Sequence, residues 1–298
     1  MTIADRVIVV AGCTGEVGEP IARALAPDNE VHGIARFGDP ERRASLERAG
    51  VICHAVNLAD PDLSSVPRSV DHLLGFAVAK TGRWDKDLAV NAESAGSLAS
   101  HCRNARSILH CSSTAVYAPN GGEPMSERSP LGGDHHRDLL PTYSTSKTAA
   151  ESVVRFAARE FGLPATIARL NVPYGDSFGW PLLHLLMMQA GQPIPVHPDG
   201  SRYNPIHVDD IVAQLPALLD AATPETTILN WSGDEVVSVE EWAGYIGDIA
   251  GVEARFEITD TTIPSAVIDA TTSRAIVGPC RIGWRDGFSR MTERALDE

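Results

Sequence analysis

Tyr143 and Lys147 stand four positions apart at the start of a predicted helix, shortly after Pro141. Residues with this spacing lie on one face of a helix, so the phenol and the ammonium project in the same direction. The pKa of a free tyrosine is about 10, which is too high for a base at neutral pH. A nearby cation favours the phenolate, so the two residues together could act as a general acid and base. An ordinary surface pair is the alternative.

A cluster of hydroxyl groups, Ser112-Ser113-Thr114, follows the predicted strand 107–111. Parallel α/β sheets bind their ligands at the carboxyl ends of the strands. A hydroxyl at this point can hydrogen-bond a substrate oxygen and stabilise the charge that builds on it. Serines are also common in turns after strands, so this cluster indicates catalysis only together with Tyr143 and Lys147.

The first predicted strand, 7–11, runs into the glycine-rich turn Gly12-Cys13-Thr14-Gly15-Glu16-Val17-Gly18, and a predicted helix follows. Glycines permit a tight turn, a close approach of the backbone to a pyrophosphate, and close packing of the helix on the strand. The amino-terminal end of the helix offers free N–H groups and a partial positive charge. The pattern predicts dinucleotide binding, with a purely structural turn as the alternative.

The second predicted strand, 31–35, ends at Arg36 and Phe37. A carboxylate at this point would bind the ribose hydroxyls of NAD, whereas an arginine can pair with the 2′-phosphate of NADP. We therefore expect NADP as the cofactor, with NAD as a possibility. A solvated surface arginine is the alternative interpretation of Arg36.

Buried apolar runs alternate with helical patterns as far as a predicted long helix, 143–161, and a strand, 165–170. This order predicts an α/β fold with a doubly wound parallel Rossmann sheet. The segment 118–141 is rich in glycine, proline and charge, and we expect a long loop there. We predict a cofactor-binding domain over 1–175 and a smaller mixed α/β substrate-binding lobe over 176–298, with some return of the chain to the main sheet.

Composition excludes several other classes of protein. The 298 residues carry a formal net charge of -14, which argues against a nucleic-acid or anionic-membrane surface. No apolar run is long enough for a membrane span, and the first ten residues do not resemble a signal peptide. The five cysteines are scattered, which fits neither a zinc site nor a disulfide framework, so we expect a cytoplasmic protein without a metal.

Together these residues resemble the extended short-chain dehydrogenase/reductase family of NAD(P)-dependent epimerases, dehydratases and reductases. The resemblance covers nearly the whole chain. The glycine turn is similar to the family's GxxGxxG loop, and Tyr143 and Lys147 to its YxxxK pair. Further similar segments are Asn57-Leu58-Ala59-Asp60, Phe76-Ala77-Val78-Ala79-Lys80, the segment 111–117, Pro205-Ile206-His207-Val208-Asp209-Asp210 and Gly283-Trp284-Arg285-Asp286-Gly287.

The resemblance implies roles for individual residues. The catalytic residues would be Ser113, Tyr143 and Lys147. The cofactor would be bound by Gly12, Gly15, Glu16, Val17, Gly18, Arg36, Asn57, Leu58, Phe76, Ala77, Lys80, Asn91, Tyr143 and Lys147. The family also implies a homodimer formed through two long helices, here predicted at 88–103 and 143–161.

Three positions depart from the sugar-nucleotide members of the family. Val172 stands where they carry an asparagine that contacts the substrate diphosphate, and Tyr203 stands where they carry an arginine for it. Arg36 replaces their usual acid. We therefore expect an NADP(H)-linked reductase or dehydrogenase that acts on a non-nucleotide carbonyl or secondary alcohol. The alternatives are an NAD-retaining nucleotide-sugar epimerase or dehydratase and a cofactor-sensing regulatory protein.

Overall fold

The computed structural model describes residues 3–133 and 139–297. Residues 134–138 of the predicted loop 118–141 lie outside this range. In chain order, the strands are β1 (Val7–Ala11), β2 (Glu30–Ala35), β3 (Val51–Ala55), β4 (His72–Gly75), β5 (Ser107–Ser113), β6 (Ala165–Leu170), β7 (Pro173–Tyr174), β8 (Ile194–Val196), β9 (Arg202–Tyr203), β10 (Ile206–His207), β11 (Thr227–Trp231), β12 (Val237–Ser238) and β13 (Phe256–Ile258).

The helices alternate with these strands along most of the chain. In chain order, they are α1 (Gly18–Leu25), α2 (Pro40–Arg48), α3 (Trp84–Leu88), α4 (Ser94–His101), α5 (Tyr143–Phe161), α6 (Trp180–Gln189), α7 (Val208–Asp220), α8 (Val239–Ala250), α9 (Thr271–Val277) and α10 (Trp284–Asp297). Within the described ranges, no helix is both long enough and apolar enough to cross a bilayer.

A seven-stranded sheet has the order β3-β2-β1-β4-β5-β6-β11. The pairs β1–β2, β1–β4, β2–β3 and β4–β5 are all parallel. Because the chain order reverses between β1 and β4, the carboxyl ends of these two strands flank the crevice in which such sheets bind ligands. The predicted Rossmann-type α/β fold is therefore confirmed.

The chain forms two compact units. The first comprises Met1–Ser113, Thr145–Arg169 and Gln214–Leu229, and the second comprises Thr114–Ser144, Leu170–Ala213 and Asn230–Glu298. In this division 114–144 belong to the second unit, and 214–229 belong to the first. The second unit has its own core, in which Trp242, Phe288 and Tyr203 are almost fully buried.

The predicted helix 88–103 is interrupted in the structure. Helix α3 leads into a π-helical turn, Ala89–Glu93, before α4 begins at Ser94. π-Helical turns are rare and are frequent at functional sites. Strand β4 ends at Gly75, and the residues that follow it line the crevice. The bounds of α5 and β6 are those predicted.

Candidate active site

A cavity of about 520 Å³ lies in the first unit, at the carboxyl ends of β1, β2, β3 and β4. Its walls are the glycine turn after β1, the end of β2, the residues 56–59 after β3 and the residues 76–81 after β4. Eight of the residues predicted to bind the cofactor line it: Gly12, Gly15, Arg36, Asn57, Leu58, Phe76, Ala77 and Lys80. The sequence prediction missed Thr14, Lys86 and Val90, which line the same cavity.

The glycine turn is shaped by close backbone contacts that a side chain would block. Gly12 has a φ of +85°, and a Cβ there would lie 2.5 Å from the backbone nitrogen of Ala77. A Cβ on Gly18 would lie 2.2 Å from the carbonyl oxygen of Gly12. Helix α1 begins at Gly18 without a side-chain cap. The Glu19 N–H already donates to the Gly15 carbonyl at 2.9 Å. The N–H groups that precede it in the turn can therefore bind phosphate, as a dinucleotide site requires.

The charged residues that line the cavity are all cations. They are Arg36, Lys80 and Lys86, and the lining includes no carboxylate. The Arg36 side chain is exposed, and it forms no hydrogen bond or ion pair with the described residues. In a chain with a net charge of -14, this local arrangement favours an anionic ligand. The cavity thus fits the phosphates of a dinucleotide.

The loop after β4 is held by two buried side chains of the neighbouring helical segment. The side chain of Asn91, in the π-helical turn, accepts a hydrogen bond from the Ala79 N–H (2.7 Å) and donates to the Ala79 carbonyl (2.9 Å). It also donates to Ser146 Oγ of α5 (2.9 Å). Asp87, which the sequence prediction missed, accepts hydrogen bonds from the backbone of Thr81 and Gly82. Asn91 therefore supports the cavity wall and is not among the lining residues.

Lys147 is buried on α5, with only 4% of its surface exposed. Its Nζ donates to the carbonyl oxygen of Cys111 in β5 at 2.7 Å. Burial lowers the pKa of the lysine. Strand β5 ends two residues after Cys111, at the half-buried Ser113. The structure thus brings Lys147 to the end of the strand that carries the predicted catalytic serine.

Tyr143 is the first residue of α5 and is half-buried, one helical turn before Lys147. The predicted four-residue spacing on one helix face is therefore present. Of the other predicted cofactor residues, Glu16 and Val17 precede α1 and Gly18 is its first residue, and these three do not line the cavity.

A buried ion pair lies one turn further along α5. Glu151 Oε1 accepts hydrogen bonds from Ser112 Oγ (2.6 Å) and Arg169 Nε (2.9 Å), and Oε2 accepts from Arg169 Nη2 (2.8 Å). The two charged side chains are only 3% and 4% exposed. The sequence prediction missed this pair, although buried charges are rare and the spacing Lys147 to Glu151 repeats that of Tyr143 to Lys147.

Two of the positions that depart from the sugar-nucleotide enzymes lie in the second unit. Val172 has a φ of +29°, which is strained for a β-branched residue. Beside it, Asn171 Nδ2 donates to Thr114 Oγ1 (2.9 Å) and to the Ala266 carbonyl (3.1 Å). Its Oδ1 accepts from the backbone of Asn204 (2.9 Å). The amide of Asn171 is therefore fully used inside this unit and does not replace the missing asparagine.

The aligned arginine position is also filled by a buried side chain. Tyr203 is 3% exposed, and its hydroxyl donates to the Ile263 carbonyl at 2.6 Å. The neighbouring Arg202 is exposed and donates to the carbonyl oxygen of Gly122 at 3.2 Å. Arg202 is therefore the cation closest in sequence to this position.

Curated relatives match parts of the chain. A trifunctional UDP-glucose 4,6-dehydratase/UDP-4-keto-6-deoxy-D-glucose 3,5-epimerase/UDP-4-keto-L-rhamnose-reductase of Arabidopsis thaliana is 32% identical over 120 residues. This match covers 38% of the chain and 17% of the relative. A hybrid PKS-NRPS synthetase of Hapsidospora irregularis is 30% identical over 170 residues, which are 54% of this chain and 4% of the synthetase.

Solved structures match over nearly the full length. A UDP-glucuronic acid 4-epimerase from Bacillus cereus, in complex with UDP-glucuronic acid and NAD, has a TM-score of 0.82 at 19% identity and covers 97% of this chain and 99% of its own. A UDP-N-acetylglucosamine 4-epimerase from Methanobrevibacter ruminantium has a TM-score of 0.83 at 17% identity, with 99% of both chains covered. At these identities the likeness establishes the fold. The family model for the NAD dependent epimerase/dehydratase family matches residues 8–230, so the chain belongs to that family.

Proposed function

We propose that this protein transfers a hydride between a secondary alcohol, or the corresponding ketone, and a nicotinamide dinucleotide. Ser113, Tyr143 and Lys147 are the proposed catalytic residues. The observation that carries the proposal is the placement of Lys147: its ammonium is buried and held on the Cys111 carbonyl, on the strand that ends at Ser113. The hydrogen bond to the Cys111 carbonyl joins α5 to β5, but a neutral carbonyl does not pair the buried charge, so the cost of burying this cation supports a role in the site.

In the oxidative direction, Tyr143 accepts the hydroxyl proton of the substrate, and in the reductive direction it returns one. Ser113 donates a hydrogen bond to the substrate oxygen and stabilises its developing charge. Lys147 favours the phenolate of Tyr143 and can bind the nicotinamide ribose. The dinucleotide, when bound, accepts or returns the hydride.

The chain's own residues fit a dinucleotide. The glycine turn and the start of α1 would hold the pyrophosphate, and Asn57, Leu58 and Phe76 would surround the adenine half. Support comes from the cationic lining of the cavity and from the contacts at Gly12 and Gly18, where the backbone leaves no space for a Cβ. The membership of an NAD dependent family supports the same cofactor class.

A nucleotide sugar is the substrate class that the comparisons favour. The family is one of epimerases and dehydratases, and the names of the Arabidopsis, Bacillus and Methanobrevibacter proteins all specify UDP-sugars. We therefore place an NAD-retaining epimerase or dehydratase ahead of the NADP(H)-linked reductase that the sequence analysis favoured. In such an enzyme, the hydride removed from the sugar returns to it within one catalytic cycle.

The NADP(H)-linked reductase is the second candidate, because three residues differ from those expected in an enzyme that binds NAD and a sugar nucleotide. Arg36 lines the cavity where a carboxylate would bind the NAD ribose. Val172 and the buried Tyr203 also replace the side chains expected to bind a substrate diphosphate. A non-nucleotide substrate would need neither of those side chains.

Ligand release distinguishes the two candidates. The purified protein is denatured, and the released dinucleotide and any small molecule are identified by mass spectrometry. Retained NAD, with interconversion of UDP-sugars and no net consumption of NADPH, would support the epimerase or dehydratase. Net oxidation of NADPH in the presence of ketones would support the reductase. Absence of activity in both assays, with no affinity for either dinucleotide, would refute the proposal.

We also propose a homodimer formed through α4 and α5. Phe156 on α5 is 59% exposed, so this helix presents a large apolar side chain at the surface. The small residues Ala92 and Ala99 are buried within the first unit, and Gly96 packs against Val153 of the same chain. The interface would therefore centre on Phe156, and light scattering should give twice the mass of the chain. A monomer mass at micromolar concentration would contradict the dimer.

A further inference from the structure

The Glu151–Arg169 pair is a costly feature of the first unit. Removing two charges from water carries a desolvation penalty that their attraction often does not repay, and apolar residues of similar volume are frequently as stable. Both carboxylate oxygens of Glu151 are nevertheless occupied, by Arg169 and by the hydroxyl of Ser112. Glu151 stands one helical turn from Lys147 on α5. The ion pair can therefore serve the candidate active site instead of the stability of the fold.

Glu151 and Lys147 are spaced as an i,i+4 pair, the spacing at which carboxylates and ammonium groups attract one another on a helix. In the structure, however, the Lys147 ammonium donates to the Cys111 carbonyl at 2.7 Å. The Glu151 carboxylate is turned to Arg169 of β6 and Ser112 of β5. Arg169 therefore competes with Lys147 for Glu151, and it holds the carboxylate.

Four titratable groups act on Lys147 or are acted on by it: Lys80 after β4, His110 and Cys111 in β5, and Glu151 in α5. Arg169 in β6 pairs with Glu151, and Tyr143 stands one helical turn before Lys147 on α5. Burial lowers the pKa of His110 to about 3 and raises that of the Cys111 thiol, so both are neutral at pH 7. Three cations and one carboxylate remain, and the surplus positive charge favours a phenolate nearby.

We infer that Glu151 and Arg169 are positioning residues for the Tyr143/Lys147 pair: Arg169 neutralises Glu151, so that the Lys147 charge remains available to the phenol of Tyr143. The inference rests on the proposed function. The inference also accounts for the hydrogen bond from the Ser112 hydroxyl to Glu151, because Ser112 directly precedes the proposed catalytic Ser113. The hydrogen bonds of Lys147 to Cys111 and of Ser112 to Glu151 both tie the end of β5 to α5.

The inference predicts shifts of opposite sign in the titration of Tyr143. In Arg169→Met, the freed Glu151 carboxylate pairs with Lys147, and the phenol pKa rises. In Glu151→Gln, Arg169 is left unneutralised, and the phenol pKa falls. Glu151 stands eight positions after Tyr143 on the helix, a rise of roughly 12 Å. A unit charge at that distance, with an effective dielectric constant of about 20, shifts the pKa by about one unit.

The test is a spectrophotometric titration that needs no substrate. The chain has five tyrosines, so the tyrosinate absorbance of each variant is compared with that of the same variant carrying Tyr143→Phe, and the difference reports Tyr143. We expect a rise for R169M, a fall for E151Q, and a midpoint near that of the wild type for the double variant E151Q/R169M. R169K, which keeps the charge, should also stay near the wild type.

Shifts of the same sign in the two single variants, or no shift in folded protein, would overturn the inference. If the single variants do not fold, Ser112→Ala provides a milder change, because it removes only the hydroxyl donor to Glu151. Its Tyr143 midpoint should rise by a few tenths of a unit, and an unchanged or lower midpoint would overturn the inference. The proposed function fails separately, if Lys147→Ala leaves the wild-type midpoint unchanged.

Discussion

Replacement of Arg36 by aspartate tests which dinucleotide this enzyme selects. The guanidinium is exposed at the end of β2 and lines the cavity. It has no hydrogen-bond or ion-pair partner among the described residues, so binding a phosphate would break no existing contact. Its planar donors match the oxygens of a 2′-phosphate, whereas an aspartate would repel a phosphate and accept hydrogen bonds from ribose hydroxyls. Whichever dinucleotide the wild type prefers, Arg36→Asp should therefore lower the affinity for NADP relative to that for NAD.

The size of the effect follows from the exposure of Arg36. A hydrogen bond to a charged group contributes roughly 1.5–3 kcal/mol, and solvent at an exposed side chain favours the lower end of that range. About 1.5 kcal/mol corresponds to roughly a tenfold change in affinity. The variant should thus weaken NADP binding about tenfold, with NAD binding unchanged or improved. Lys80 and Lys86 remain in the cavity and retain part of the attraction for phosphate.

The assay is a fluorescence titration of wild type and Arg36→Asp with NADH and NADPH. Arg103→Asp is the matched control, because it changes the net charge equally at an exposed residue that does not line the cavity. The control should bind both dinucleotides as the wild type does. If the wild type binds NADH more tightly than NADPH and Arg36→Asp changes neither affinity, Arg36 is a surface residue. That result would also remove the main support for the reductase candidate.

Two further predictions concern the glycine turn and a buried histidine. Gly12→Ala places a Cβ 2.5 Å from the Ala77 nitrogen at a φ of +85°, so it should lower the unfolding free energy by about 2–4 kcal/mol and weaken dinucleotide binding; chemical denaturation that matches the wild type would contradict this. Burial lowers the pKa of His184 to about 4, and its Nδ1 accepts a hydrogen bond from Trp242 Nε1. In the unfolded chain His184 binds a proton below a pH of about 6.5, whereas in the folded chain it stays neutral down to about pH 4. The free energy of unfolding should therefore fall by up to about 3 kcal/mol as the pH is lowered from 6.5 to 4. Urea unfolding of His184→Gln should show a shallower dependence on pH over that range, and parallel curves would refute the assignment.

The sequence was sufficient for the fold because the strands of a parallel sheet are buried on both faces and read as apolar runs. The glycine turn and the Tyr143/Lys147 spacing are local patterns, so their positions after β1 and at the start of α5 could be predicted. Arg36 could be placed at the end of β2 for the same reason. The position of each of these residues is determined by the single strand or helix that carries it.

The missed features depend on contacts between elements distant in sequence. Glu151 and Arg169 meet only because α5 packs beside β6, and neither residue stands in a recognisable local pattern with the other. The helical pattern likewise did not predict the π-helical turn at Ala89–Glu93, where Asn91 bonds the backbone of Ala79. The preference for a non-nucleotide substrate was drawn from three single positions, and the comparisons favour the nucleotide-sugar alternative instead.

The most direct test of the account is the turnover of Tyr143→Phe. Wild type and variant are assayed with the dinucleotide and small molecule identified by ligand release, or with UDP-sugars and simple ketones if only the dinucleotide is retained. Loss of the general acid and base should lower turnover by a factor on the order of 10²–10⁴, while dinucleotide affinity stays at the wild-type value. Retention of more than about a tenth of wild-type turnover would contradict the catalytic role of Tyr143, and with it the proposed chemistry.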